Sequence, residues 1–211
     1  MCWSATADLA AGSAICALGV ACVARTRRVR DLPLAALPLL LGAHQLIEAA
    51  VWHGDGGTGA ATTAWTVIAL PLLALWVPLA VLSASPGARL RLLAPAVVGA
   101  VTATVLAVRV AARPPSAKIH GHTVGYSVHV PHASWLIAGY LFATVGALLL
   151  TPDRTLRLLG ALTATGAVVC AALWRLEFIS TWCAVAAVTS LTLLVRTAHP
   201  PPRGRPPARC Q

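Results

Sequence analysis

Long apolar runs alternate with short polar gaps along the whole chain, and seven of the runs reach membrane-spanning length. They fall at about Ala5–Ala24, Leu32–Trp52, Thr62–Leu82, Leu92–Ala111, Ser134–Leu150, Leu156–Trp174 and Phe178–Val195. A helix needs roughly 20 mostly apolar residues to cross the hydrocarbon of a bilayer. The fifth run is the shortest, and a very tight turn joins the last two, so six helices is the alternative if that pair is one interrupted span. Only the gap between the fourth and fifth runs is long, roughly Ala112–Ala133. There Val124, Tyr126, Val128 and Val130 alternate with polar residues, a period of two that predicts a short β-hairpin over the mouth of the bundle. The expected architecture is all-α: one polytopic bundle over residues 1–197, then a disordered Pro/Arg-rich tail over residues 198–211.

Composition agrees with that pattern. Of 211 residues, 58% are apolar and only 10% charged, against about 25% charged in a soluble domain. That deficit leaves too little charge for a water-facing surface. Arg dominates the basic residues and Ala, Gly, Pro and Val are abundant, a codon signature of a GC-rich bacterial genome. The net charge of +10 would suggest nucleic acid in a soluble protein. Here the basic residues are spread over several short loops and a tail, so no nucleic-acid partner is expected.

The placement of those charges predicts an orientation. Arg25, Arg27, Arg28 and Arg30 fill the first gap, Arg89 and Arg91 the third, and Arg154 and Arg157 the fifth. Arg196, Arg203, Arg205 and Arg209 follow the last run. Arg109, Arg113, Lys118 and Arg175 lie toward the other side. Under the positive-inside rule the N-terminus is outside, the C-terminus is cytoplasmic and the helix count is odd, as expected for a multi-pass protein of the bacterial plasma membrane. No Lys or Arg precedes the first apolar run, which argues against a signal peptide. Anionic lipid is the expected partner of the cytoplasmic loops and tail, at about 1 kcal/mol per Arg near the surface. Small residues four apart (Gly12/Cys16, Gly99/Ala103, Gly139/Ala143, Gly160/Ala164) fit either close helix packing or an Ala-rich composition.

The candidate chemistry sits on the second span. His44, Gln45, Glu48 and Trp52 fall at i, i+1, i+4 and i+8 and share one helical face. His44 is expected near mid-membrane and Glu48 in the outer third. Ionisable groups there are costly unless paired or facing a cavity, so Glu48 is expected to meet Arg109 or Arg175, with Glu177 competing for the latter. An i, i+4 His/Glu pair suits metal ligation, base catalysis with an orienting carboxylate, or a buried hydrogen-bonded pair that fixes packing. The long outer gap adds His120, His122, His129 and His132. The His-x-His spacing of His120 and His122 is a possible metal pair, so His44, Glu48, His120 and His122 are the candidate zinc ligands; a strand would turn His129 to the opposite face, against a single four-His site, and solvated loop histidines are the plainer reading. Cys2 and Cys183 lie toward the outside, where disulfides are permitted, and form the candidate pair. Cys16, Cys22 and Cys170 read as packing residues. No zinc-finger, P-loop, G-x-S-x-G or H-E-x-x-H pattern is present.

Three blocks carry a resemblance: Met1-Cys2-Trp3-Ser4-Ala5, then His44-Gln45-Leu46-Ile47-Glu48-Ala49-Ala50-Val51-Trp52, then Ser180-Thr181-Trp182-Cys183. Together they resemble a family of bacterial integral membrane proteins of unknown function, whose chains begin Met-Cys-Phe/Trp-Ser-Ala and carry HQ-x-x-E-x-x-W and Ser-x-Trp-Cys blocks. The resemblance covers almost the whole chain and implies a membrane fold without naming an activity. A more distant comparison is with the seven-helix zinc hydrolases that include alkaline ceramidases. Helix count and topology are similar, but the seventh run here lacks the histidines of that metal site. The functional expectation is therefore a non-enzymatic membrane protein that binds a small ligand or ion, or acts as a scaffold, through His44, Gln45, Glu48, Trp52, Arg109 and Arg175. No cofactor is expected under it. The alternative is a metal-dependent membrane hydrolase, with zinc, using His44 and Glu48.

Overall fold

The computed structural model describes residues 4–121, 123–130, 132–173 and 188–197. It is 81% helical, with strand confined to one hairpin among the described residues. Among the described residues there are seven helical segments: α1 Ala5–Arg25, α2 Val29–His53, α3 Ala60–Ala84, α4 Pro86–Ala112, α5 Ala133–Leu150, α6 Arg154–Leu173 and the shorter α7 Val188–Thr197, which covers only the end of the seventh expected run. The first five are long and apolar enough to cross a membrane. The expected tight turn before the last helix, with Arg175 and Glu177, lies outside the described residues, as do Cys2, His122, Cys183 and the tail.

Local chemistry sets the helix ends and irregularities. Ser4 caps α1, its hydroxyl accepting the Ala7 N–H at 3.2 Å, and Thr26 closes the other end by donating to Cys22 O at 2.8 Å. Pro33 and Pro38 divide the start of α2 into a 3₁₀ turn and two helical pieces. Proline removes a helical donor, and next to this break Trp76 of α3 donates to Pro33 O at 2.9 Å. Pro71 lies in a π-helical stretch of α3, Ile68–Leu72, and a second such stretch, Phe142–Gly146, lies in α5. Tyr140 links the two regions by donating to Ala69 O at 2.8 Å.

The helices pack through small residues. A methyl group added to Gly42 on α2 would stand 2.8 Å from the backbone nitrogen of Cys16 on α1, and one on Gly12 would stand 3.0 Å from Gln45 Cβ. Gly99 on α4 faces the Ala74 carbonyl, Gly139 faces Thr102 Oγ1 and Gly160 faces Leu148. All four small-residue pairs named from the sequence therefore place a glycine where another helix comes close, as the packing reading requires. Around an apolar core, the bundle also exposes apolar side chains and buries polar ones. Val97, Val101, Val105 and Val108, at helical spacing on α4, are exposed, while Asp8, Gln45 and Glu48 are among the most buried side chains. An apolar stripe of this kind is costly in water and neutral in hydrocarbon.

One end of the bundle is tied by polar contacts. Asp153 caps α6, Oδ1 accepting the N–H groups of Thr155 at 2.9 Å and Leu156 at 3.3 Å. Its Oδ2 accepts from Arg196 Nε on α7 at 2.8 Å. Ser85 and Thr151 share a hydrogen bond of 2.9 Å between the ends of α3 and α5. This is the end where the basic gaps collect. At the opposite end lies the hairpin: β1 Ser116–His120 and β2 Thr123–Ser127 pair antiparallel, Ser116 opposite Ser127 and His120 opposite Thr123.

Candidate functional site

The second helix enters the site through its tight seam with the first. On α1 the buried positions are Asp8, Gly12, Ile15, Gly19 and Cys22, a stripe at helical spacing. Because Gly19 meets Leu39 and Gly12 meets Gln45, the helices run antiparallel, and one more turn brings Asp8 level with Glu48 and Trp52. The structure bears out that register: Trp52 Nε1 donates to Asp8 Oδ2 at 3.0 Å. Asp8 and Glu48 are both fully buried, so two carboxylates share one level of the α1/α2 seam.

The third helix and the hairpin close the other side. His44, 7% exposed, has its ring centroid 4.6 Å from that of Trp65 on α3, tilted by 36°. Trp65 stacks in turn on Tyr126 of β2, with centroids 3.6 Å apart and planes within 2°. Three rings thus form a column from the hairpin down to the middle of α2. Below the hairpin, Val51, Ala117 and Val124 form a small apolar cluster of their own, flanked by Trp52, Ile119 and Tyr126. Gly57, after α2, exchanges two backbone hydrogen bonds with Ala117 on β1, at 2.8 and 2.9 Å. A side chain on Gly56 would collide with the Ala117 carbonyl, and its φ of +78° favours glycine.

The residues expected from sequence divide into three groups. His44, Gln45 and Glu48 are buried together on α2, with Trp52 half-buried one turn beyond. Arg109 is not brought to them: it is exposed near the end of α4, and among the described residues the one ion pair is Arg196 with Asp153. Arg175, His122, Cys2 and Cys183 lie outside the described residues. His120, His129 and His132 are exposed, and among the described residues no three His, Cys, Asp or Glu side chains converge as metal ligands.

Asp8, Trp65 and Tyr126 join the cluster without having been singled out. Asp8 carried a usable signal, an acid one turn into an apolar run and four residues before a packing glycine. Trp65 and Tyr126 carried none, because their meeting depends on where the hairpin lands.

What the cluster can do follows from its donors and acceptors. It combines two carboxylates, an amide, an imidazole and two indole N–H groups within the bundle. Such groups can hold a polar ligand or an ion while excluding water, and buried polar groups of this kind are costly unless satisfied. A separate cavity of about 70 Å³ lies deeper, lined by Leu37, Leu73, Val77, Tyr140, Thr144 and Leu159 among others. Three of its polar side chains bond to helix carbonyls: Thr144 donates to Tyr140 O and Tyr140 to Ala69 O, each at 2.8 Å, and Thr163 to Leu159 O at 2.9 Å. The cavity is greasy space, and the polar chemistry lies nearer the hairpin.

A model for a family of unknown function, DUF6629, matches residues 1–207. No curated protein and no solved structure matches the chain.

Proposed function

The chain belongs to DUF6629, a family of unknown function, and on that premise we propose a seven-span bacterial inner-membrane protein that binds a small ligand or ion in the outer half of its bundle. The N-terminus is outside and the C-terminus cytoplasmic. The reading of orientation is supported by the arginine-rich gaps gathering at the end opposite the hairpin. The binding site is built from Asp8, His44, Gln45, Glu48, Trp52, Trp65 and Tyr126. Arg109, Arg113 and Lys118, basic residues of the outer side, are all exposed, and Arg175, the other counter-charge expected for Glu48, lies outside the described residues.

One observation carries the binding reading: polar side chains from α1 and α2 are buried at one level, under aromatic cover from α3 and the hairpin. Packing alone would be served more cheaply by apolar residues of similar volume, because a buried ionic group rarely repays its desolvation. The test is native mass spectrometry and metal analysis of untagged protein in mild detergent, wild type beside His44→Ala and Glu48→Ala. A non-protein mass or metal that co-purifies with folded wild type and is lost from both variants supports the site. Stoichiometric zinc lost in this way would favour the hydrolase reading of the same residues. Equal composition of all three proteins, with both variants merely less stable, would reduce the cluster to a packing device.

A further inference from the structure

We propose that the hairpin is a lid on the polar cluster, latched by the stacking of Tyr126 on Trp65, and that ligands reach His44 from the outer face only when it lifts. The inference rests on the orientation and site given under Proposed function and adds the route of entry.

The attachment of the hairpin is what marks it as movable. Among the described residues the hairpin meets the helices beneath through the Gly57–Ala117 backbone pair, the Val51, Ala117 and Val124 cluster with Trp52 and Ala61 against it, and the Trp65–Tyr126 stack. A two-stranded hairpin is marginal by itself in water, so these contacts set its closed population. The α1/α2 seam, by contrast, is interlocked along several turns by Gly12, Gly19 and Gly42 and cannot part locally. Elements that open for ligands come from the low-stability end of a fold, and a hairpin of two short strands lies over the cluster. The latch also reports on the site: Trp65 touches Tyr126 on one side and His44 on the other, so a ligand that displaces or reorients His44 acts on the ring that holds the lid.

The experiment reads access to position 44 from each side of the membrane. His44→Cys is labelled in spheroplasts with a membrane-impermeant, cationic trimethylammonium thiosulfonate, and the increment over the His44 parent removes the contribution of the native thiols. The same protein is labelled in inverted vesicles. With the lid intact, labelling is slow. Adding Tyr126→Ala, or independently Val124→Ser, accelerates labelling from outside by about tenfold, the shift that losing about 1.4 kcal/mol of fastening gives. Unchanged rates in both loosened variants overturn the lid, as does acceleration by Tyr126→Ala alone, which would mark a local packing defect. Acceleration by both variants from the cytoplasmic side only keeps the lid and overturns the orientation. Acceleration from outside without any ligand or metal in the composition test keeps the lid and overturns the binding site. Each protein is first shown to be monodisperse in detergent.

Discussion

Removing the carboxylate of Asp8 tests the α1/α2 register and the polar cluster together. The bond to be broken, Trp52 Nε1 to Asp8 Oδ2, is 3.0 Å long and joins residues 44 apart in sequence. Interhelical hydrogen bonds in membranes are worth ~0.6 kcal/mol on average and ~1.7 kcal/mol at most, because the unfolded chain in lipid also finds partners. A charged acceptor strengthens the bond and Asp8 is fully buried, which pushes the value up. Trp52 is only half-buried, so its freed N–H can turn to water at the interface, which pulls the value down. We expect a coupling of about 1 kcal/mol between the two side chains. The assay is a double-mutant cycle of Asp8→Ala and Trp52→Phe, read by equilibrium unfolding in mixed micelles at increasing SDS fraction. Asp8→Asn retains an acceptor and should recover part of the loss. Strictly additive single effects, with a coupling below about 0.3 kcal/mol, would refute the contact and with it the register that places Asp8 beside Glu48.

Further outcomes follow from other parts of the fold. Gly42→Leu drives a side chain into the backbone of Cys16 and should destabilise by about 1–3 kcal/mol or more, whereas Gly87→Ala, with nothing within 4 Å of the added methyl, should be near neutral; SDS unfolding midpoints compare the two. Asp153→Ala removes both a helix cap and the partner of Arg196, for a loss of about 1–3 kcal/mol, and Asp153→Asn should restore the capping share alone. Single cysteines at Asp55 and Arg27 should label from outside and inside respectively with an impermeant maleimide, and the reverse result would invert the topology.

The fold was legible because its strongest determinant is one-dimensional. Apolar run length locates α1 to α5, although α4 begins at Pro86 rather than Leu92, and the alternation that starts at Val124 predicted the hairpin, although Val128 and Val130 lie past the end of β2. Helix-face arithmetic likewise brought His44, Gln45 and Glu48 together, since that argument needs only one helix. Contacts between elements were less accessible. Depth along the membrane allowed Arg109 to meet Glu48, but depth says nothing about which way a helix faces, and Arg109 is exposed on α4. Asp8 could have been reached by joining the stripe of Gly12 and Cys16 to the acid one turn earlier. The Trp65–Tyr126 stack could not, because it depends on a backbone bridge between Gly57 and Ala117 that no local pattern encodes.

The claim that the buried cluster is a binding site meets its most direct test in linkage. A bound ligand stabilises the folded state by RT ln(1 + [L]/Kd), about 2.7 kcal/mol at a hundredfold excess over Kd, whatever its identity. Thermal unfolding is measured on protein freshly extracted in mild detergent and again after exhaustive dialysis against chelator, for wild type, His44→Ala and Glu48→Ala. Dialysis should lower the wild-type midpoint and leave both variants where they began. Midpoints that are unmoved by dialysis in all three proteins, or that fall equally in all three, would contradict it.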